Sequence, residues 1–414
     1  MNKFFIVIPT KDKEDTLYWT LQTCLDQDYT NYEIIISDDS TSENTGNMVK
    51  KFNNPKIRYF KTTMHLSLAG NLENGINQVT EDGFVIFIGD DDALLQNGLS
   101  ILNKVLNDTG LYAIGWKLHK YFWPSHVKKS MRNRGMICLD SNYRIFNSKQ
   151  KLKSVAQTLD YTQLPCIYHG AIHTNIIKQK KRKAKTFIHC LSPDVYTGIV
   201  ACCETSHYIY SNFPFSITGH SQKSTGTSSY QATPEQKRIW NEYLKSSIPF
   251  HPTLEPCPGT AVTVTDAFLK IKQFYPFVPN VDLKDTIYKS YDTYLNMDEP
   301  ENAKAIKEAL IKIATKNNLS PYLEKLFKNI PSDYKVPNPN EHYEKGGYKE
   351  DHNELCFDFT GTGIDNVYNF NQFIRKLIPN EIEECSINPI QSNWKKYIYR
   401  FFISGIHKIK KKLF

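Results

Sequence analysis

Over the first 115 residues, short continuous apolar runs alternate with stretches of helical spacing, which predicts βαβ units around a mostly parallel sheet. Phe4 to Ile8 is an apolar strand that Pro9 is expected to end. From Asp15 to Leu25 the residues Leu17, Leu21, Cys24 and Leu25 share one helical face, with Asp15 or Thr16 able to cap it. Glu33 to Ser37 is a second buried strand running into Asp38-Asp39-Ser40, and Lys56 to Phe60 is a short third. Ala69 to Val79 has helical spacing, and Phe84 to Ile88 is a fourth strand ending at Gly89-Asp90-Asp91-Asp92. Polar residues thus collect at the carboxyl ends of strands, where open α/β sheets bind ligands.

Farther on, a strand is expected at Tyr112 to Trp116, helices near Gln150 to Leu159 and Pro193 to Cys202, and a mobile loop at Ser221 to Thr233, rich in Ser, Thr and Gly. Pro234 to Leu244, Leu283 to Leu295 and Glu301 to Asn317 are helix-like, and Pro331 to Lys349 has the Pro, Asn and Gly content of a linker. The chain therefore divides into an α/β unit at 1–230, a mainly helical extension at 231–390 with the linker near 331–349, and a distinct segment at 391–414. There is no internal repeat.

Composition narrows the class. With 40% hydrophobic and 23% charged residues the chain is globular, and apolar runs of about five residues fall far short of the roughly 20 a membrane span needs. The opening Met1-Asn2-Lys3 leads straight into a strand without a secretory pattern, so the expectation is a cytoplasmic protein. Nine cysteines without a CxxC pair read as reduced thiols. The net charge is +8, but Gln391 to Phe414 holds seven basic residues and no acid, which leaves +1 for the rest. A nucleic-acid-binding body would carry its basic face on the folded domain, so no nucleic-acid partner is expected.

Three motifs carry the chemistry: Ile8-Pro9-Thr10-Lys11-Asp12-Lys13, Ile36-Ser37-Asp38-Asp39-Ser40-Thr41 and Gly89-Asp90-Asp91-Asp92, each at a strand end. With them, residues 1 to 220 resemble a family 2 glycosyltransferase of the GT-A fold. The resemblance implies a Rossmann-like α/β catalytic domain with a mostly parallel sheet, followed by the helical extension. It also implies an inverting, metal-dependent transfer of a sugar from a nucleotide-diphosphate donor, a UDP-sugar above all. Charge develops on the leaving diphosphate, and Mn²⁺ or Mg²⁺ held by hard carboxylate oxygens would stabilise it. By resemblance to the family's D-x-D element Asp91 is the first metal ligand, with Asp90 nearer the ribose and Asp92 a second or water-mediated ligand. The usual pattern has an acid at Gly89, so the register can be argued either way.

For the nucleotide, the resemblance points to Thr10 and backbone after Pro9, with Asp39 accepting from a base N–H. An Asp-Ser-Thr run is equally a helix-start signal. Lys11-Asp12-Lys13 stands where relatives have an aromatic residue, Asn and Arg. Asn71 matches a polar position on the flanking helix, though a surface or capping role suits a lone Asn as well. An inverting transfer needs a general base for the acceptor hydroxyl; the resemblance, which implies an acid on or just before a helix late in the catalytic domain, points to Asp194 in Ser192-Pro193-Asp194-Val195, though an acid in a first helical turn can equally serve the helix dipole alone. The resemblance to GT-A enzymes also implies that a late His, here His220, completes the metal shell or touches a phosphate, although a lone His is more often structural; His169 could face the acceptor. His169 and His173 have zinc-helix spacing but lack the Glu a metalloprotease requires. Gly361 to Asn366 reads as a turn, and Lys180 to Lys183 as a solvated loop with membrane-surface attraction as the lesser reading.

From Trp394 on, Trp394, Tyr397, Ile398, Phe401, Phe402, Ile409 and Leu413 fall on one side of a helical projection and most basic residues on the other. Such a helix lies in a membrane interface, so 391–414 is expected to bind an anionic membrane surface and place the protein peripherally on the inner face of the cell membrane. A glycan or polyprenyl-linked acceptor in bacterial surface-polysaccharide synthesis, of the capsule or lipopolysaccharide kind, would account for it. The alternatives are a nonenzymatic nucleotide-binding scaffold of the same fold, against which the intact Asp90 to Asp92 and Asp194 stand, and a sugar nucleotidyltransferase, whose Gly-rich, Arg-containing turn is missing.

Overall fold

The computed structural model describes residues 1–228, 233–244, 248–297, 300–329, 343, 345–378 and 382–384. The expected helix at 391–414 and most of the linker at 331–349 lie outside them. Strands β1 (Phe4–Thr10), β2 (Tyr32–Asp38), β3 (Ile57–Lys61) and β4 (Phe84–Phe87) alternate with helices α1 (Glu14–Leu25), α2 (Asn44–Lys50) and α3 (Leu68–Asn77). They form a parallel block in the order β4-β1-β2-β3. Both faces of β1 are buried: Phe4, Ile6 and Ile8 join one apolar cluster, Phe5 and Val7 the other. The period of two along a strand sends alternate side chains to opposite faces, and burying each contributes roughly 1.5–3 kcal/mol.

Pro9 does not end β1. The pairing of β1 with β4 stops at Val7, so the missing N–H of Pro9 falls beyond that ladder, and Pro9 and Thr10 continue opposite Ser37 and Asp38 of β2. Nor does Asp15 or Thr16 cap α1, whose N-cap position is Lys13 with no side-chain bond; Asp15 sits in the first turn.

After β4 the chain crosses between sheets. The Asp90–Asp92 turn leads to β5 (Ala93–Leu94), which belongs to a second, six-stranded sheet. Helix α4 (Gly98–Thr109), strands β6 (Ala113–Trp116), β7 (His119–Phe122), β8 (Arg134–Cys138) and β9 (Asn142–Asn147), and helix α5 (Ser148–Thr158) follow. Then come β10 (Gly170–His173), α6 (Thr174–Ala184), α7 (Pro193–Glu204), β11 (His207–Ser211) and β12 (Ser216–His220). In the large sheet β10 lies antiparallel between β4 and β6, and β11 is parallel to β6. The second sheet pairs β12 with both β5 and β7. The Lys180 to Lys183 run is helical, on α6; Lys180 is fully buried, its ammonium 3.6 Å from the centre of the Phe274 ring. The expected loop at Ser221 to Thr233 contains the short helix α8 (Thr225–Ser228).

Helices α9 (Pro234–Leu244), α10 (Ala261–Ile271), α11 (Leu283–Leu295), α12 (Pro300–Lys316) and α13 (Ser320–Lys328) make up the extension. It has a third apolar cluster around Ile287, Ile306, Leu310 and Ile313. The chain then returns to the α/β unit. In the hairpin β13 (Gly347–Lys349) and β14 (Glu354–Asp358), β14 pairs antiparallel with β8. Helix α14 (Val367–Ile374) stacks Phe370 on Tyr121, and Asn371 donates to the Leu94 carbonyl at 2.8 Å. Residues 345–378 thus complete the second sheet, a use of the chain that a single helical extension did not anticipate. The Gly361 to Asn366 stretch is a turn with positive φ at Gly361 and Gly363. Among the described residues no helix is long and apolar enough to cross a membrane.

Candidate functional site

Parallel pairing of β1, β2 and β4 brings their carboxyl ends side by side, and with them Thr10, Asp39 and Asp90. Thr10 Oγ1 donates to Asp90 Oδ2 at 2.8 Å, and Lys13 Nζ meets Asp90 Oδ1 at 2.9 Å. Burial alone would depress the Lys13 ammonium, but the charges of Asp90, Asp91 and Asp92 outweigh it and hold the pKa above the ordinary lysine value.

The three acids of the turn are all buried, and they differ. Asp92 is the anchor. Its Oδ1 accepts from Gly219 N at 2.7 Å; its Oδ2 accepts from Gly89 N at 2.5 Å and Tyr168 hydroxyl at 3.2 Å, and lies 3.2 Å from His169 Nε2. Burial opposes its ionisation, but His169 and the N–H groups of Gly219 and Gly89 win and keep its pKa below the ordinary value. Through both oxygens Asp92 ties the turn to β12. Asp91 accepts from Ser221 N at 3.2 Å and Ser221 Oγ at 2.6 Å. Its pKa is pushed up to about 7, first by burial and then by the charges of Asp92 and Asp90, against the pull of Lys13.

A Cβ at Gly89 would meet the Tyr168 hydroxyl and lie 2.8 Å from Asp92 Oδ2, so these side chains would have to shift to admit one. Gly219 has no such room, because a Cβ would run into the Asp91 main-chain oxygen.

Asp39 is no helix cap, since α2 begins five residues later and its N-cap position is Glu43. Its Oδ1 accepts from Thr62 Oγ1 at 2.8 Å and Leu66 N at 3.0 Å, and its Oδ2 from His65 Nδ1 at 2.6 Å. Asn71 is buried, accepting from Ser37 Oγ at 2.6 Å and donating to the Thr10 carbonyl at 3.3 Å, which locks α3 to the strand ends. Pro9, Thr10, Asp39, Asn71 and Asp90 line one cleft that is open to solvent. Helix α9 forms its opposite wall with Arg238, Glu242 and Tyr243, and Lys223 and Lys13 add positive charge. Glu242 reaches across to Lys11 at 2.9 Å. Asp91, Asp92, His169, Asp194 and His220 do not line this cleft.

Asp194 sits in the first turn of α7. Its Oδ2 accepts from the Tyr161 hydroxyl at 3.2 Å, and burial raises its pKa above the ordinary value. Nearby, Ser192 at the N-cap position of α7 meets the Tyr243 hydroxyl at 3.1 Å, joining this helix to the cleft wall. His169 is buried, with Nδ1 2.9 Å from Ser216 Oγ and Nε2 against Asp92. His169 is on a non-helical residue with φ 53° and His173 ends β10, so the pair lacks the helix a zinc motif requires.

His220 stacks on Phe122 at 4.8 Å with 16° between the rings. Burial, with Lys120 and His126 adding, pushes its pKa down to about 3, so it is neutral, and its buried Nε2 has no hydrogen-bond partner among the described residues. A divalent cation fits this chemistry. Three buried acids crowd around one ammonium, which raises the pKa of Asp91, and the neutral imidazole nitrogen of His220 has no hydrogen-bond partner among the described residues. No group of three His, Cys, Asp or Glu residues among those described surrounds a common point. A cation that keeps waters and substrate phosphates in its shell needs only one or two protein ligands.

Residues 5–173 match the model of the glycosyl transferase family 2. The chain carries a family 2 glycosyltransferase domain. Its α/β unit, whose large sheet is mostly parallel, and its helical extension are the architecture that the resemblance to GT-A enzymes implied. The chain is 31% identical over 118 residues to the GalNAc(5)-diNAcBac-PP-undecaprenol beta-1,3-glucosyltransferase of Campylobacter jejuni, covering 28% of this chain and 38% of that one. It is 31% identical over 87 residues to the UDP-Glc:alpha-D-GlcNAc-diphosphoundecaprenol beta-1,3-glucosyltransferase WfaP of Escherichia coli, covering 21% and 34%. The matches thus span about a third of each of these relatives. S. aureus TarS 1-349 in complex with UDP-GlcNAc aligns over 81% of this chain and 95% of its own, at 15% identity and a TM-score of 0.43.

Lys13, His65, Ser221 and the α9 side chains were not marked by sequence reasoning. Lys13 had a signal, as a basic residue in the β1 motif; the others reach the site through tertiary packing that no local pattern announces.

Proposed function

We propose that the family 2 domain is an inverting glycosyltransferase that moves a sugar from a UDP-sugar to a hydroxyl of a polyprenyl-linked glycan. The observation that carries this reading is the meeting of Thr10, Asp39 and Asp90 in one cleft at the carboxyl ends of β1, β2 and β4. Two relatives whose names specify undecaprenol-linked glucosyltransferases support the donor and acceptor classes.

In this scheme Asp39 accepts from the base, once His65 gives way, while Thr10 and Asp90 hold the ribose side. Lys13, Lys223 and Arg238 add positive charge for the diphosphate. Asp91, with His220 as nitrogen ligand, would hold Mn²⁺ or Mg²⁺, which stabilises the charge on the departing diphosphate. Asp194 takes the proton from the acceptor hydroxyl; burial, by raising its pKa, brings it nearer the range that suits a base at neutral pH. The test is incubation with UDP-glucose, UDP-galactose or UDP-GlcNAc, Mn²⁺ and GlcNAc-diphosphoundecaprenol. UDP release coupled to a larger lipid-linked glycan is expected with one of these donors; intact donor in every case overturns the reading.

The basic segment 391–414 is proposed to hold the enzyme peripherally on the inner face of the membrane, where a lipid-linked acceptor is presented. Each basic residue near an anionic surface contributes about 1 kcal/mol. Truncation before Gln391 should abolish sedimentation with anionic liposomes and leave UDP affinity unchanged. Undiminished liposome binding by the truncated chain would show that the segment is not the anchor.

A further inference from the structure

Tyr161 approaches Asp194 from outside helix α7. It lies between α5 and β10, its ring is half-buried against the apolar cluster that holds α7, and its hydroxyl donates to Asp194 Oδ2 at 3.2 Å. Because the ring is held by packing, the hydroxyl is directed at the carboxylate by the fold and not by a mobile chain. We infer that Tyr161 is a positioning residue for the transfer reaction: by holding one carboxylate oxygen it orients Asp194 toward the acceptor and favours its ionised form. This rests on the assignment of Asp194 as general base.

The titratable groups that face Asp194 are Tyr161, Cys166, His169 and Tyr243, joined by the backbone N–H groups of Asp194 and Val195. Among these side chains Tyr161 makes the hydrogen bond to the carboxylate. Burial drives the carboxyl toward its neutral form; the Tyr161 hydrogen bond and the two N–H groups oppose it. A donated hydrogen bond stabilises the carboxylate and lowers its pKa, so removing it raises the pKa and leaves less base ionised at low pH.

The experiment is Tyr161→Phe, which keeps the ring and removes the hydroxyl, assayed with the UDP-sugar and GlcNAc-diphosphoundecaprenol over a pH series. The acid limb of kcat/KM should move up by about one pH unit. The loss should be about tenfold on that limb and shrink toward the alkaline plateau, with KM for the donor unchanged. In an Asp194→Asn background the same substitution should have no further effect, because Tyr161 acts through a carboxylate that is gone. An unmoved limb, or an equal loss in both backgrounds, overturns the positioning role and leaves a structural one. Near-normal turnover by Asp194→Asn alone would instead remove the base assignment, and with it the inference. Thermal melting of Tyr161→Phe separates loss of fold from loss of the hydrogen bond.

Discussion

Asp194→Asn should lose about 10² to 10⁴ in turnover while binding UDP and Mn²⁺ as the parent chain does, because the amide cannot take the proton from the acceptor. The substitution is nearly isosteric, and its carbonyl oxygen can still accept from Tyr161. The pKa shift adds a second expectation. In the folded state the carboxyl lies above its ordinary value of 3.8, because burial disfavours the charge. Its stability contribution is therefore complete below 3.8 and is lost as the pH rises through the folded-state value. Asn carries no charge to bury, so the variant should melt at a higher temperature than the parent above that window, the gap narrowing toward pH 4. Weakened UDP binding with near-normal turnover would contradict the role; a lower melting temperature at pH 8 would contradict the electrostatic reading of the site.

The second large effect is expected at the Asp turn. Asp91→Asn should abolish transfer and the metal-dependent part of UDP binding, a loss on the order of a hundredfold or more, because a hard anionic oxygen disappears where diphosphate charge must be stabilised. The fold should survive, since an amide oxygen can accept from Ser221 as the carboxylate does. Asp92→Asn should behave otherwise. Its carboxylate accepts from the N–H groups of Gly219 and Gly89 and holds His169, so this change should loosen the link between the turn and β12 and lower the melting temperature. Assays of UDP affinity with and without Mn²⁺, paired with melting curves, separate the two. Full activity in Asp91→Asn would remove it from the metal site.

How much of this was legible in the sequence depended on whether the cause was local. The runs at Phe4 to Ile8, Glu33 to Ser37 and Phe84 to Ile88 became β1, β2 and β4 because strands buried on both faces read as unbroken apolar runs. The acids that follow them were visible for the same reason. What each acid does was not visible. Asp92 is separated from Asp91 by one bond in sequence, yet its partners Gly219 and His169 come from β12 and the loop before β10, whose register is set by tertiary packing. Lys180 was read as part of a solvated loop because the run Lys180 to Lys183 hides helical periodicity under uniform charge; Ile176, Ile177 and Lys180 turn out to share the inner face of α6. The strand β14 pairs with β8 across more than 200 residues, and a five-residue strand with Pro- and Gly-rich sequence before it gives no local sign of its destination. The hydrogen bond from Tyr161 to Asp194 spans 33 residues and follows from no periodicity.

The central claim is that the cleft between the strand ends and α9 binds a nucleoside diphosphate with the help of a divalent cation near Asp91. Calorimetric titration of UDP into the full chain, with Mn²⁺ and with a chelator, tests it most directly. Saturable binding at one site per chain, markedly tighter with Mn²⁺, is the expected result. Absence of saturable binding under both conditions would contradict it.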